Sequence, residues 1–413
     1  MATRRRWWPM AVVRTDVLLV VWLALNGIAS ILFAPRPPAS IKAFLGLSLV
    51  ASAFFIVRLL SGHEVERIAN LVLSMGLIVC AFGVIAYVVS PVLGSAIGVQ
   101  LNPDTHVLMA YGTLWEADIF GAFAAYMLLL SLSWIVLVPA RNSKLARLTA
   151  IFSALALEVS LARTAWIAAA VGLVFASAFW AWAITRHKVA SLRRTLTQIL
   201  PVVIAAVIAS LALWLLVAAT QSARSAYANA MTGGIGYKTV HQAPSPSNSP
   251  SVGTGAPVLS RLNTLANPNA LVHDSTLQLR VDGARLVLSD WRHAPFLGRG
   301  TASFGQVYTD TSHQPWWIFN IGLRALHDTG LIGLAIFLLF AVGLTLRPLR
   351  PWVRAVTERA QYVPLIGGLF LPTVTLWLTA QATEPFQLMW PWLLLGLIPA
   401  FGTEGSEKVD LRR

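Results

Sequence analysis

Cysteine is nearly absent. The single one, Cys80, lies inside an apolar run, which excludes an intramolecular disulfide, a cysteine-ligated zinc site and an iron–sulfur cluster. Charge is scarce as well. Only 12% of the residues are Asp, Glu, Lys or Arg, against about 25% in a soluble domain, so an ordinary soluble enzyme is excluded. Acids are the scarcer sign, 17 against 31 Lys and Arg. Several chemistry-bearing motifs are also missing. There is no Walker loop and no HExxH, and Gly298-Arg299-Gly300 is too short to cradle a nucleotide. An ATPase, a zinc protease and a redox enzyme therefore lack residues they require, and no cofactor is expected. No internal repeat is visible.

What the chain has instead is apolar runs. Its 413 residues are 56% hydrophobic, with a mean hydropathy of +0.68. The apolar residues fall into stretches long enough to cross a hydrocarbon core of roughly 30 Å. About ten such spans (10–12) are read at roughly 16–34, 41–57, 68–90, 118–139, 148–162, 164–184, 198–220, 317–345, 363–381 and 387–402. The fold expected is an all-α polytopic membrane protein with a large extracytoplasmic helical loop late in the chain. The first run reads as a span and not as a cleavable signal, since no small-residue cleavage site follows it.

Topology follows from where the basic residues lie. With the N-terminus inside, the inner segments hold Arg4, Arg5, Arg6 and Arg14, then Arg58 and Arg67, then Arg141, Lys144 and Arg147. Further along come Arg186, Lys188, Arg193 and Arg194, then Arg347, Arg350, Arg354 and Arg359, with Lys408, Arg412 and Arg413 in the tail. The outer segments are close to neutral. The net charge of +14 is thus a topology signal, and no nucleic-acid partner is expected. Trp7 and Trp8 would mark the inner interface and Trp316 and Trp317 the outer one. The domain plan is a bundle over 1–220, an extracytoplasmic loop over 221–316, a second part of the bundle over 317–402, and a cytoplasmic tail over 403–413. Both termini are placed in the cytoplasm. Within the loop, 241–260 is rich in Pro, Ser and Gly and is expected to be disordered. A loop this long is more often functional than idle.

Residues 276–292 of that loop predict an amphipathic helix. Leu277, Val281, Ala284, Leu288 and Trp291 recur at helical spacing, so this face should rest on the membrane surface or on the bundle. Arg280 sits about 60° from the centre of the stripe. An arginine held at the outer leaflet suits phosphate, because it stays charged and its planar fork donates two parallel hydrogen bonds. The alternative is that it snorkels or pairs with a lipid headgroup. Arg163 is the second unusual arginine, set in a tight outer turn of an otherwise apolar stretch. It is either functional, as costly intramembrane charges tend to be, or paired with Glu158. Glu116-Ala-Asp118 is a close acid pair at the start of a span. It could hold a divalent ion or simply favour the helix N-terminus.

Three stretches resemble the O-antigen ligase and O-antigen polymerase superfamily of bacterial membrane glycosyltransferases. Ser160-Leu161-Ala162-Arg163-Thr164 is similar to that family's Ser-Arg step at the start of a span. Arg280, followed by Pro295 in HAPFLGRGTASF, is similar to its arginine helix ending in "P-L-L-G-x-G…F". Phe319-Asn320, then Gly330-Leu331-Ile332-Gly333, resembles the ligase motif "H-N, nine residues, G-x-x-G". The resemblance implies metal-independent glycosyl transfer at the outer face of the cytoplasmic membrane. It also implies an undecaprenyl-pyrophosphate-linked glycan donor and a glycan or lipid acceptor, with arginines holding the leaving pyrophosphate among membrane lipids. Arg280 and Arg163 would bind the donor, with Arg285 or Arg299 as helpers and Asn320 and His327 nearby. In ligases the motif histidine is proposed to activate the acceptor. Phe319 stands there in this chain, which leaves His313 or His327 as substitutes and tilts the expectation towards a polymerase or another surface-glycan transferase. His293 and His273 are further possibilities. The competing class is a transporter or flippase of an anionic lipid-linked substrate, which should show two similar halves with broken helices near mid-membrane.

Overall fold

The computed structural model describes residues 13–57, 65–102, 107–137, 143–187, 192–234, 275–309, 316–347 and 363–402. All ten expected runs are helices: α1 (Arg14–Leu32), α2 (Pro37–Ile56), α3 (Val65–Leu93), α4 (Ala117–Leu137), α5 (Ser143–Ser160), α6 (Arg163–His187) and α7 (Leu192–Ala219), then α11 (Ile321–Leu346), α12 (Val363–Thr379) and α13 (Met389–Gly402). Between α7 and α11 lie α8 (Gln221–Gly234), α9 (Ser275–Trp291) and the single turn α10 (Phe304–Val307). Seven helices are long and apolar enough to cross a membrane, namely α1 to α4, α6, α7 and α11, and α12 and α13 carry shorter apolar stretches. This is a polytopic, helical membrane protein. Among the described residues a short antiparallel pair departs from all-α: β1 (Val99–Leu101) and β2 (Leu108–Ala110), with Gln100 opposite Met109.

Two packing centres hold the bundle together. Helix α4 is its axis, buried over 94% of its apolar window, with α3, α5, α6, α7 and α12 arranged around it. The other centre is aromatic. Trp22 of α1 packs on Phe337 of α11 and Trp392 of α13, and Phe386 stacks on Trp377 at 5.1 Å. Helix α7, only 11% buried, presents a continuous apolar surface of the kind that lipid covers.

One end of the bundle gathers several of the connecting turns. The α1–α2 connection meets the 295–303 loop, since the Thr301 amide donates to Ser30 Oγ (3.0 Å) and Ser40 Oγ donates to the Thr301 carbonyl (2.6 Å). Met109 of β2 and Ala117 of α4 pack on Leu161 in the α5–α6 turn. The Ile321 amide at the start of α11 donates to the Ala380 carbonyl at the end of α12 (2.9 Å). Trp115 and Trp317, 73% and 48% exposed, stand at this same end, as interfacial anchors would.

The apolar stripe of helix α9 does not face the bundle. Leu277, Val281 and Leu288 are exposed, whereas Gly283, Val287 and Asp290 face the protein. The buried face is turned by about 100° from the apolar stripe, from the rotation per residue of a helix, and Arg280 lies between the two. The protein side thus combines the apolar Val287, packed near Phe304 and Ile318, with Gly283 and one acid, Asp290, while the apolar stripe is left exposed. Arg4, Arg5, Arg6, 241–260, His313, His273 and the 403–413 tail lie outside the described residues, as do Arg58, Arg141, Lys188, Arg350, Arg354 and Arg359.

Candidate functional site

The site begins with Arg280. Its Nη2 donates to Asp118 Oδ2 at 2.8 Å, joining α9 to the first turn of α4. Its guanidinium also lies 5.8 Å from the centre of the Phe319 ring, within reach of a cation–π attraction. Phe319 thus contacts the arginine by its ring face. Arg280 borders a cavity of about 180 Å³ lined also by Gly283, Val287, Trp317, Phe319, Asn320 and Gln381. Asn320 caps α11. Its side-chain oxygen accepts from the Leu323 amide at 2.8 Å, while its Nδ2 donates to Gln381 Oε1 at 3.0 Å. The cavity thus combines one guanidinium, two amides, two aromatic faces and the positive end of α11.

Glu116 lies beside this pair. Burial raises its carboxyl pKa first, and the Asp118 charge adds to the rise. The Arg280 charge lowers it in part, leaving it at about 7. The preceding residue, Trp115, has a φ of 73°, which is costly for a residue with a side chain. Leu161 (φ 52°), just before Arg163, and Ala302 (φ 56°), in the 295–303 loop, share this backbone state. The Leu161 turn carries Arg163 and the Ala302 loop carries Arg299, while the Trp115 turn carries the Glu116–Asp118 acid pair. Arg163 opens α6, and its turn is seated on α4 by Gly121, where an added Cβ would meet Ala162, Ser160 and Ala165 at 2.7–2.9 Å. Arg163 is thereby fixed at the same end of the bundle as Asp118. Glu158, its proposed partner, accepts from Ser210 Oγ (2.8 Å) and Trp214 Nε1 (2.6 Å).

Three other predicted residues are placed away from the cavity. Arg285 pairs with Asp282 at 3.2 Å on the exposed side of α9, with its side chain 76% exposed. Arg299 binds Asp290. His327 is wholly buried, with Nε2 2.9 Å from Asp290 Oδ2 and Nδ1 3.0 Å from Asp328 Oδ1. Both of its ring nitrogens are engaged by carboxylates. The structure thus places His327 inside an ionic network with Asp290 and Asp328, away from the Arg280 cavity. His293 is partly committed as well, through a 3.0 Å contact with the Asp290 carbonyl. At Asp290 burial raises the carboxyl, but the His327 hydrogen bond and the Arg299 charge outweigh it and hold the pKa below the ordinary value.

This network explains how two of the motif stretches belong together. At Gly330 (φ 66°, ψ −168°) helix α11 is broken. The 295–300 loop docks into the break. Arg299 N–H donates to the His327 carbonyl, Gly300 N–H to Asp328, Leu331 N–H to Pro295 and Ile332 N–H to Phe296, at 2.9–3.3 Å. The backbone groups freed by the break are thereby satisfied inside the protein, which is what allows such a break at membrane depth. Sequence reading missed Gln381, Trp317, Asp118's partnership with Arg280, and the Arg324–Glu384 ion pair, whose arginine also donates to Asp328 (3.3 Å). Arg324 and Glu384 did carry a signal, since each is an ionisable residue in or beside an apolar run. The partnership of Arg280 with Asp118, 162 positions apart, carried none.

No family model matches this chain, and no curated protein matches it.

Proposed function

We propose that this protein is a membrane glycosyltransferase that moves or polymerises a glycan from an undecaprenyl-pyrophosphate donor at the outer face of the cytoplasmic membrane. The observation that carries the reading is the Arg280 cavity. A guanidinium at an interfacial helix, partly desolvated and held by Asp118, is placed to bind a diphosphate and to stabilise the charge that develops on it as the glycosidic bond breaks. The cavity is smaller than the roughly 300–1,000 Å³ of a pocket that encloses a whole small molecule. It therefore suits the headgroup, with the prenyl chain running along the exposed Leu277–Val281–Leu288 face and the glycan outside. Arg163 is the second phosphate-binding arginine of this proposal, and Asn320 with Gln381 orients the first sugar. Ten membrane crossings with both termini in the cytoplasm complete the topology, which puts the gathered turns on the extracytoplasmic side.

Transport is the weaker reading. A broken helix is the feature that would favour it, but the break in α11 is filled by the 295–300 loop. The test is the length distribution of lipid-linked and surface glycans in a deletion strain carrying wild type, Arg280→Lys or Arg280→Ala. The expected result is restoration by wild type, partial restoration by Lys and none by Ala at equal expression. Accumulated single repeats would identify a polymerase, and long lipid-linked chains a ligase. An unchanged distribution on deletion would refute the proposal.

A further inference from the structure

Residues 316–320, the lead-in to α11, form no helix, and their side chains divide between two sides. Trp316 and Ile318 join the small apolar cluster of Val287 and Phe304, with the Trp316 ring centre 6.4 Å from that of Phe304. The Trp316 amide donates to the Tyr308 carbonyl at 3.0 Å, and Asn320 is extended, at φ −115° and ψ 121°. In extended backbone, residues two apart share a face and stand about 7 Å from each other. Trp317 and Phe319 are thereby left for the other side, where the Phe319 ring meets the Arg280 guanidinium. Both line the Arg280 cavity together with Asn320 and Gln381, and Ile318 between them also borders it. Of the two aromatic residues Trp317 is the open one, 48% exposed against a half-buried Phe319. A tryptophan that serves only to seat a protein at a membrane surface has no need of a place in the wall of a cavity.

We infer that Trp317 is the platform on which the donor's first sugar stacks, an assignment that rests on the glycosyltransferase reading above and gives that site a residue that recognises the glycan. With the diphosphate at Arg280, beside Phe319, the sugar bonded to it lies one step further along the same wall, and Trp317 stands there. A pyranose presents a face of C–H groups made slightly positive by the oxygens around them, and the face of an indole is negative. Stacking covers the apolar face of the sugar and leaves its hydroxyls at the rim. The amides of Asn320 and Gln381 border the same space, and they are held in place. Asn320 Nδ2 donates to Gln381 Oε1, and Gln381 Nε2 donates to the Trp377 carbonyl, each at 3.0 Å. An indole has two side-chain torsions to fix, so it supplies this contact area at a small entropic cost. The site then has two parts along the donor, a cation for the diphosphate and a ring face for the sugar, and their contributions to binding separate.

The experiment compares the binding of two lipids to the purified full-length protein: undecaprenyl pyrophosphate, and lipid-linked glycan extracted from the deletion strain. Wild type should bind the glycan-bearing lipid about tenfold more tightly, the size of one aromatic contact (~1.4 kcal/mol). Trp317→Leu, apolar but without a ring face, should bind undecaprenyl pyrophosphate within about threefold of wild type and lose the tenfold difference. Trp317→Phe restores a ring and should keep most of it. Trp115→Leu changes an indole that is 73% exposed and does not border the cavity, and should keep all of it. The assignment is overturned, with the diphosphate reading intact, by a Trp317→Leu protein that keeps the difference, by a Trp115→Leu protein that loses it equally, or by a wild type that binds the two lipids alike. A wild type that binds neither lipid overturns both.

Discussion

Replacing Gly330 by alanine should damage the site from a distance, and the structure sets the size of the effect. At φ 66° and ψ −168° the residue sits in a region open essentially to glycine alone, so an alanine costs about 1–3 kcal/mol in backbone strain. Its Cβ would also lie 2.3 Å from the carbonyl carbon and oxygen of Phe296. That neighbour is backbone and cannot swing aside, which adds an overpacking cost of about 1–3 kcal/mol. The sum, about 2–6 kcal/mol, can be relieved by expelling the 295–300 loop. Expulsion would cost the four backbone hydrogen bonds between the loop and α11 and would loosen α9, the helix carrying Arg280. Thermal unfolding of the purified protein in detergent should show a melting temperature lower by about 4–12 °C, taking about 2 °C per kcal/mol for a long chain. Proteolysis within 295–300 should rise in parallel. Gly298→Ala should behave similarly, since its Cβ would meet the Asp328–Thr329 backbone at 2.4 Å. The double variant should cost less than the sum, because the first change already breaks the shared contact. Gly46→Ala, with nothing within 4 Å of the added carbon, is the control. A Gly330→Ala protein as stable and protease-resistant as Gly46→Ala would refute the docking account.

Further outcomes follow from particular residues. Arg285→Ala should leave stability and transfer within about twofold of wild type, because an exposed ion pair contributes about 0–1 kcal/mol; a large loss would return Arg285 to the site. Asp290→Asn should destabilise the protein at neutral pH. Because the folded carboxyl titrates below its ordinary value, this contribution is complete above the unfolded pKa and fades as pH falls through the folded one. Melting curves of the two proteins should therefore converge only in strong acid, and a constant gap would contradict the assignment. Gly121→Val should move the α5–α6 turn and reduce donor binding without touching Arg163, whereas unchanged binding would detach Arg163 from the site.

Sequence periodicity located nearly every helix, because lipid-crossing runs announce themselves by composition. The helix expected at 276–292 is found at Ser275–Trp291. Its facing was not legible. The apolar stripe of Leu277, Val281 and Leu288 left two sides open, the membrane surface or the bundle, and the side that meets the protein is made instead of Gly283, Val287 and Asp290. The loop HAPFLGRG and the Gly330 stretch were read as separate motifs; that they interlock depends on a helix break that no hydrophobic pattern encodes. His327 looked like a chemical residue until Asp290 and Asp328 were seen on its two nitrogens. Glu116 and Asp118 looked like helix-start acids, and that remains true of their position. What the sequence could not show was Arg280, arriving from a distant helix and giving the pair a charge to work with.

The central claim is that Arg280 binds a diphosphate on a lipid. Binding of undecaprenyl pyrophosphate to the purified full-length protein, compared with undecaprenyl phosphate and with the Arg280→Ala variant, tests it most directly. The account predicts tighter binding of the pyrophosphate and a loss of about 10–150-fold on Arg280→Ala, the equivalent of about 1.5–3 kcal/mol for a charged hydrogen-bonding group. Equal affinity of wild type and variant for the pyrophosphate would contradict it.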